Sequence, residues 1–239
     1  MTALPTRKLE AFRYADIDAL ASVWSGLAAP ERVQIAAHNK VQQIWLPNGD
    51  DIEIRRAEIR LEAGAQFSLF ALNTARDYGR LELDVTLHTG ARFNFNAANI
   101  GGGESNLEIV TNVRHDEPAA VSRQVVRSVL AGKAVGSYLG KVAVARDAQQ
   151  SDGEQSVKSM LLDRGATANC KPELEIYADD VKCAHGASVG ELDPDQLFSR
   201  CRAGSIRQAR KPCCSKASSW ACGTMPRTAT RSARWRVQR

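Results

Sequence analysis

Several features that define common protein classes are missing from this sequence of 239 residues. No apolar run approaches the roughly 18–20 residues of a membrane-spanning helix, so we expect no membrane partner. The phosphate-binding loop of P-loop ATPases is absent, which argues against ATP hydrolysis by this chain. The Gly-x-Ser-x-Gly turn of serine hydrolases is absent as well. The opening residues are polar and lack the apolar segment of a secretory signal, so we expect a cytoplasmic location.

Acidic residues are missing from the last forty positions, Arg200–Arg239, which carry eleven basic residues. Residues 1–199 therefore hold 21 basic and 27 acidic residues, a net charge of −6, although the whole chain carries +5. Four of the six cysteines also lie in this tail, and only Cys170 and Cys183 precede it. Because the basic surplus lies outside the patterned part of the chain, we expect protein partners and no nucleic acid.

Apolar and polar residues alternate from about Val33 to Leu192, most clearly in Leu81–Leu87, as in strands with one buried face. The Val-rich stretch Glu117–Leu130 also favours a strand over a helix. A short helix is predicted earlier, at Asp16–Trp24, where apolar residues recur at helical spacing.

Glycine-alanine pairs follow several of the predicted strands and suggest an internal repeat. They begin at Gly64, Gly90, Gly165 and Gly186, with a middle gap of about three units of roughly 25 residues. A repeat of this size, with glycine at the corners, favours a β-solenoid in which each coil stacks on the next. A β-sandwich, with a strand every 8–12 residues, also fits the spacing.

The sequence predicts three regions. Residues 1–31 form a short helical lead-in, residues 32–192 form the all-β solenoid core, and residues 193–239 form an irregular C-terminal tail.

The run KPELEIYADDVKCAHGASVG, at residues 171–190, resembles the most characteristic segment of SufD proteins in the SufB/SufD family. Three further stretches support this resemblance, at Leu4–Tyr14, Gly140–Val144 and Leu192–Phe198. Together they span roughly residues 4–198. SufB proteins usually carry an acidic residue directly after the histidine of this motif, where the chain has Gly186, so the resemblance is to SufD.

The resemblance implies a right-handed parallel β-helix that acts as a non-catalytic scaffold in iron–sulfur cluster assembly. Family members pair with a SufB-like paralogue and use C-terminal helices to dock a SufC-like ATPase. It implies that the cluster forms transiently at the interface of the two paralogues and that this chain alone holds no stable cofactor. A homodimer is a further pairing that fits.

Two residues of the motif are candidates for the cluster-assembly interface. Cys183 and His185 are two positions apart, so on a strand their side chains share a face. A thiolate and an imidazole can bind iron or iron–sulfur species, although a cysteine is often a small buried apolar residue instead. The resemblance places the motif histidine at the paralogue interface, so His185 is the candidate metal-binding residue. Cys170 has no motif support and is interpreted as structural.

An enzyme of another class is the alternative hypothesis. Asp179 and Asp180 suggest a β-solenoid lyase or hydrolase that acts on carbohydrate, although adjacent strand residues point to opposite faces.

The C-terminal tail departs from the family pattern after about Phe198. Read from the third base of each codon, the gene for Gln208–Gly223 can encode an apolar helix of the kind that the family has there. We therefore hypothesise that residues after about 198 are translated out of frame, in which case docking of a SufC-like ATPase should fail with this tail.

Overall fold

A computed structural model describes residues 4–191, which form one short 3₁₀ turn, one α-helix and twelve strands. The 3₁₀ turn is Glu10–Phe12 and the helix α1 is Ile17–Trp24. The strands are β1 Glu31–Ile35, β2 Lys40–Trp45, β3 Ile52–Leu61, β4 Gln66–Asn73, β5 Tyr78–Leu87, β6 Arg92–Gly101, β7 Asn106–His115, β8 Val121–Leu130, β9 Val135–Val144, β10 Asp152–Leu161, β11 Thr167–Ile176 and β12 Lys182–Glu191.

The strands alternate between two parallel sheets, and this arrangement confirms the predicted β-helix. Odd-numbered strands form one six-stranded sheet, and even-numbered strands form the other. Each strand pairs in parallel with the strand two positions along the chain, so one odd and one even strand make one coil. The described chain therefore winds through six coils. The strand predicted within Glu117–Leu130 is observed as β8.

Hydrogen bonding between coils places equivalent residues in columns, and the inward columns are mostly aliphatic. One column runs through Ile35, Leu61, Leu87, His115, Val144 and Ile176. Another places Phe67 directly beside Phe93, whose stacked rings are 6.2 Å apart. A single coil buries little apolar area, whereas the stacked columns form a continuous core.

The predicted glycine repeat is wrong in its period and in two of its positions. Coils are offset by 26 residues at the beginning of the solenoid, as in Gly64 and Gly90, and by up to 32 at its end, as in Val135 and Thr167. Gly165 lies at the opposite corner, between β10 and β11, and Gly186 lies inside β12. Two-residue motifs are too short to separate a corner from a strand, because glycine is tolerated in both.

Non-glycine residues occupy most of the corner column that contains Gly64 and Gly90. Five successive residues there have φ between 60° and 67°: His38, Gly64, Gly90, Ala119 and Gln150. The backbone N–H of each donates to a carbonyl of the next coil, for example from Ala119 to Gln149 at 2.9 Å. These bonds offset the steric cost of a left-handed conformation at a residue with a Cβ atom.

The segment that leads into the predicted N-terminal helix lies on the outside of the odd-strand sheet. Asp16 caps α1 by accepting hydrogen bonds from the backbone N–H groups of Asp18 and Ala19. Buried Arg80 links the 3₁₀ turn Glu10–Phe12 to the sheet. Its guanidinium donates to the Ala11 carbonyl at 2.8 Å and to Glu108 Oε2 at 2.7 Å. Its guanidinium also lies 4.3 Å above the Phe12 ring.

The C-terminal tail, with the frameshift hypothesis that concerns it, lies outside the described residues. Within residues 4–191, no helix is both long and apolar enough to cross a membrane.

His115 makes the stability of the solenoid depend on pH. Its side chain is fully buried among aliphatic neighbours, and Nε2 lies 2.8 Å from Ser122 Oγ. Burial lowers the pKa of His115 to about 4, from an ordinary value of 6.5. Between pH 6.5 and pH 4, His115 is therefore protonated in the unfolded chain and neutral in the folded chain. The free energy of unfolding falls as the solution is acidified through this range.

Between pH 7 and pH 5, the wild type should lose about 2 kcal/mol of unfolding free energy because of His115, and His115→Gln should abolish this part of the loss. Urea denaturation at the two pH values measures this loss. His38→Asn, at an exposed corner residue, should keep the full loss. An equal pH dependence in the wild type and His115→Gln would contradict the assignment.

Candidate functional site

The characteristic segment at residues 171–190 forms the last described coil of the solenoid. It contains most of β11, the turn that follows, and most of β12. Within residues 4–191, β11 pairs only with β9 and β12 pairs only with β10, so each strand presents one unpaired edge. The candidate residues therefore lie at the end of the described part of the solenoid.

Cys183 and His185 both lie on the inward side of β12, as their spacing predicts. Cys183 aligns with Gly153 of β10 and packs against the hydrophobic core. His185 aligns with Gln155, which is fully buried, yet His185 itself is exposed because no coil covers it in the described part of the chain. The structure thus places the two residues on one face and gives them different environments.

Burial changes the chemistry of Cys183. It raises the pKa of the thiol, and the nearby carboxylate of Asp152 adds to this effect, although a hydrogen bond with the Gly153 backbone opposes it. The thiolate is the form that binds metals, so Cys183 is a weaker ligand than an ordinary exposed cysteine. His185 is the more accessible of the two candidates.

Cys170 lies in the same coil but on β11. It packs against the core, and its Sγ is 3.6 Å from Ser159 Oγ. Cys170 and Cys183 are both free thiols. Within residues 4–191, no group of three or more His, Cys, Asp and Glu side chains could hold a metal ion. A metal at His185 would therefore need ligands from beyond these residues.

A row of polar side chains, which was not predicted from the sequence, crosses the interior next to this coil. Its centre is the buried hydroxyl of Tyr138, which donates to Gln124 Oε1 and accepts from Gln155 Nε2, each at 3.2 Å. Thr111 Oγ1 also donates to Gln124 Oε1, at 2.7 Å. Burial raises the pKa of Tyr138, so the phenol stays neutral.

Gly140 makes room for this row. A Cβ atom at Gly140 would lie 2.1 Å from the Tyr138 hydroxyl oxygen, closer than any non-bonded contact allows. The clue in the sequence was the polar residues at the inward positions Ser122, Gln124 and Ser128 of β8, which interrupt its valines.

The surface around His185 combines polar and apolar features. A groove of about 360 Å³ runs along β10 and β12 and is lined by both His185 and Gln155. At the same end of the solenoid, Ile176, Tyr177 and Val189 are 40%, 64% and 49% exposed. Large apolar side chains beside an unpaired strand edge are typical of a protein interface.

Asp179 and Asp180 were predicted to lie in a strand, and this prediction is wrong. They are exposed in the turn between β11 and β12. The Asp180 backbone N–H donates to Gln149 Oε1, and its carbonyl accepts from the Gln150 backbone. This pair therefore shapes a corner of the coil.

Comparison with known proteins places the chain in one family. The family model described as "SUF system FeS cluster assembly, SufBD core domain" matches residues 32–203. Protein ABCI7, chloroplastic, of Arabidopsis thaliana is 36% identical over 144 residues, which are 59% of this chain and 30% of that protein. The iron-sulfur cluster assembly protein SufD of Escherichia coli is 39% identical over 88 residues, which are 37% of this chain and 21% of that protein. The chain matches about a third or less of the length of these relatives.

The close approach of Tyr138 to Gly140 leads to a stability prediction. Gly140→Ala should lower the free energy of unfolding by about 1–3 kcal/mol, because the buried ring cannot move away from the added methyl group. Gly186→Ala is the matched control, since nothing lies within 4 Å of a Cβ atom there. Equal stability of both variants in urea denaturation would show that the Tyr138 ring is not confined as described.

Proposed function

The chain belongs to the SufBD core family of the SUF system, and on this basis we propose that it is a non-catalytic scaffold subunit in iron–sulfur cluster assembly. The observation that carries the proposal is the position of His185. It is an exposed imidazole on the inward face of the last described coil, whose strands β11 and β12 each have one edge unpaired within residues 4–191.

We propose that these edges pair with a SufB-like paralogue. An unpaired strand offers a row of backbone N–H and C=O groups that a strand from another chain can satisfy. The exposed side chains of Ile176, Tyr177 and Val189 would add apolar contact to that pairing. The pairing would also cover His185, so that groups from both chains surround it.

In this proposal the nascent cluster is the cargo of the complex, held transiently between the paralogues. His185 would supply a ligand or a proton-bearing group from this chain, because an imidazole binds iron readily and the side chain is accessible. Cys183 would have a secondary role, because its thiol is partly buried and held protonated. The free thiols of Cys170 and Cys183 suit a reducing, cytoplasmic location.

A SufC-like ATPase would supply the nucleotide-driven motion. The family helices that would dock it fall within residues 193–239, where the frameshift hypothesis predicts that they are lost. We therefore propose pairing with the paralogue as the contact that this chain retains. Membership of the SufBD family favours this role over the carbohydrate-active alternative.

His185→Ala should reduce the yield of reconstituted cluster on the complex with the SufB-like paralogue by tenfold or more, while the complex itself still forms. The loss follows from removing the exposed imidazole at the shared face. Cluster absorbance and size-exclusion chromatography measure the two quantities. Ser188→Ala, on the opposite face of β12, should change neither. An unchanged cluster yield in His185→Ala would reject this role.

Val189→Asp tests the proposed interface. A charge at this exposed apolar position should weaken pairing with the SufB-like paralogue by tenfold or more, because the carboxylate would lose its hydration on association. Isothermal titration calorimetry measures the affinity. Ile44→Asp, at an exposed residue of β2 at the far end of the same sheet, should bind normally. Equal affinity of the Val189→Asp variant and the wild type, or a homodimer that excludes the paralogue, would count against the interface.

A further inference from the structure

One inward column of the even-strand sheet is apolar in its middle and polar toward the last described coil. It joins register partners on successive strands: Gln43, Leu69, Phe95, Gln124, Gln155 and His185. Gln43 is only partly buried, Leu69 and Phe95 are fully buried and apolar, and Gln124 and Gln155 are fully buried and polar. A buried amide destabilises the core unless its polar atoms are paired, so this change requires a structural or functional reason.

A hydrogen bond with the Tyr138 hydroxyl holds the side-chain amide of Gln155 in one orientation. Gln155 Nε2 donates to the Tyr138 hydroxyl at 3.2 Å, and that hydroxyl donates onward to Gln124 Oε1. The ring itself is 99% buried and confined by its contact with Gly140. The amide is therefore held at one end by a rigid phenol.

The other end of the same amide has no partner. Gln155 Oε1 is buried and makes no hydrogen bond within the described residues. The next side chain in the column is His185, one strand spacing of about 4.8 Å further along. The imidazole of His185 likewise has no hydrogen bond to residues 4–191. A buried acceptor without a donor and an inward-facing donor without an acceptor are thus neighbours.

We propose that Gln155 is a positioning residue for His185: its Oε1 accepts a hydrogen bond from one imidazole nitrogen after rotation of the histidine side chain. This bond fixes which ring nitrogen carries the proton. It also directs the second nitrogen, with its lone pair, away from Gln155 and toward the open edge of β12. The functional value of this orientation rests on the proposed role of His185 in cluster assembly, whereas the bond itself does not.

The tautomer of His185 in the full-length chain without a partner tests the proposal. Histidine labelled with ¹⁵N gives a spectrum in which the two ring nitrogens of each neutral imidazole are distinguished, and His185→Gln assigns the signals. Gln155→Leu should shift the tautomer ratio of His185 by about three- to tenfold, as expected for the loss of one hydrogen bond. Tyr138→Phe, which releases the amide without removing it, should shift the ratio in the same direction by a smaller factor.

Ser159→Ala is the matched control, because it alters a buried polar residue of β10 whose register partner is Val189. It should leave the ratio unchanged. A ratio within twofold of wild type in both Gln155→Leu and Tyr138→Phe would overturn the proposal, whatever the cluster yield. A shifted ratio with an unchanged cluster yield would uphold the positioning and reject the role of His185 in assembly.

Discussion

The hydrogen-bond ladders between successive coils are the constraint on which the rest of this structure depends. They align residues that are 26–32 positions apart in the sequence, so that each inward side chain rests on its counterpart in the next coil. No coil could bury its apolar face alone, because two short strands enclose too little volume. The same ladders hold three corner residues with side chains, His38, Ala119 and Gln150, in a left-handed conformation.

The columns also explain why the candidate site lies at the end of the solenoid. In the middle coils, a polar atom in a column can be paired only by groups inside the protein, as Gln124 Oε1 is by the hydroxyls of Tyr138 and Thr111. In the last described coil, no further coil within residues 4–191 covers the columns, so His185 is exposed there while it shares a face with partly buried Cys183. The described part of the chain thus presents an exposed imidazole on a strand that is held in register by the preceding coil.

Much of the fold was predictable from local pattern. The alternation of Leu81–Leu87 and the valines of Glu117–Leu130 identified strands, and Asp16 marked the beginning of α1. The glycine repeat was only partly informative, because coil length grows along the chain and Gly186 is a strand residue. Spacing in sequence cannot reveal that growth, since it arises from longer turns that still return the chain to the same register.

The period of two along the strands was enough to predict an all-β fold and the shared face of Cys183 and His185, because any strand must obey it, whereas the spacing alone left a β-sandwich open beside the solenoid. The different burial of Cys183 and His185 could not be predicted, because it depends on the tertiary structure. The alignment of Gln155 with His185 could not be predicted either, because these residues are 30 positions apart and are aligned only when the coil between them closes in register. The row through Tyr138 likewise joins both sheets, and no local pattern links residues on opposite walls of a solenoid. Side-chain periodicity is local, whereas burial and hydrogen-bond partners depend on what the neighbouring coil supplies.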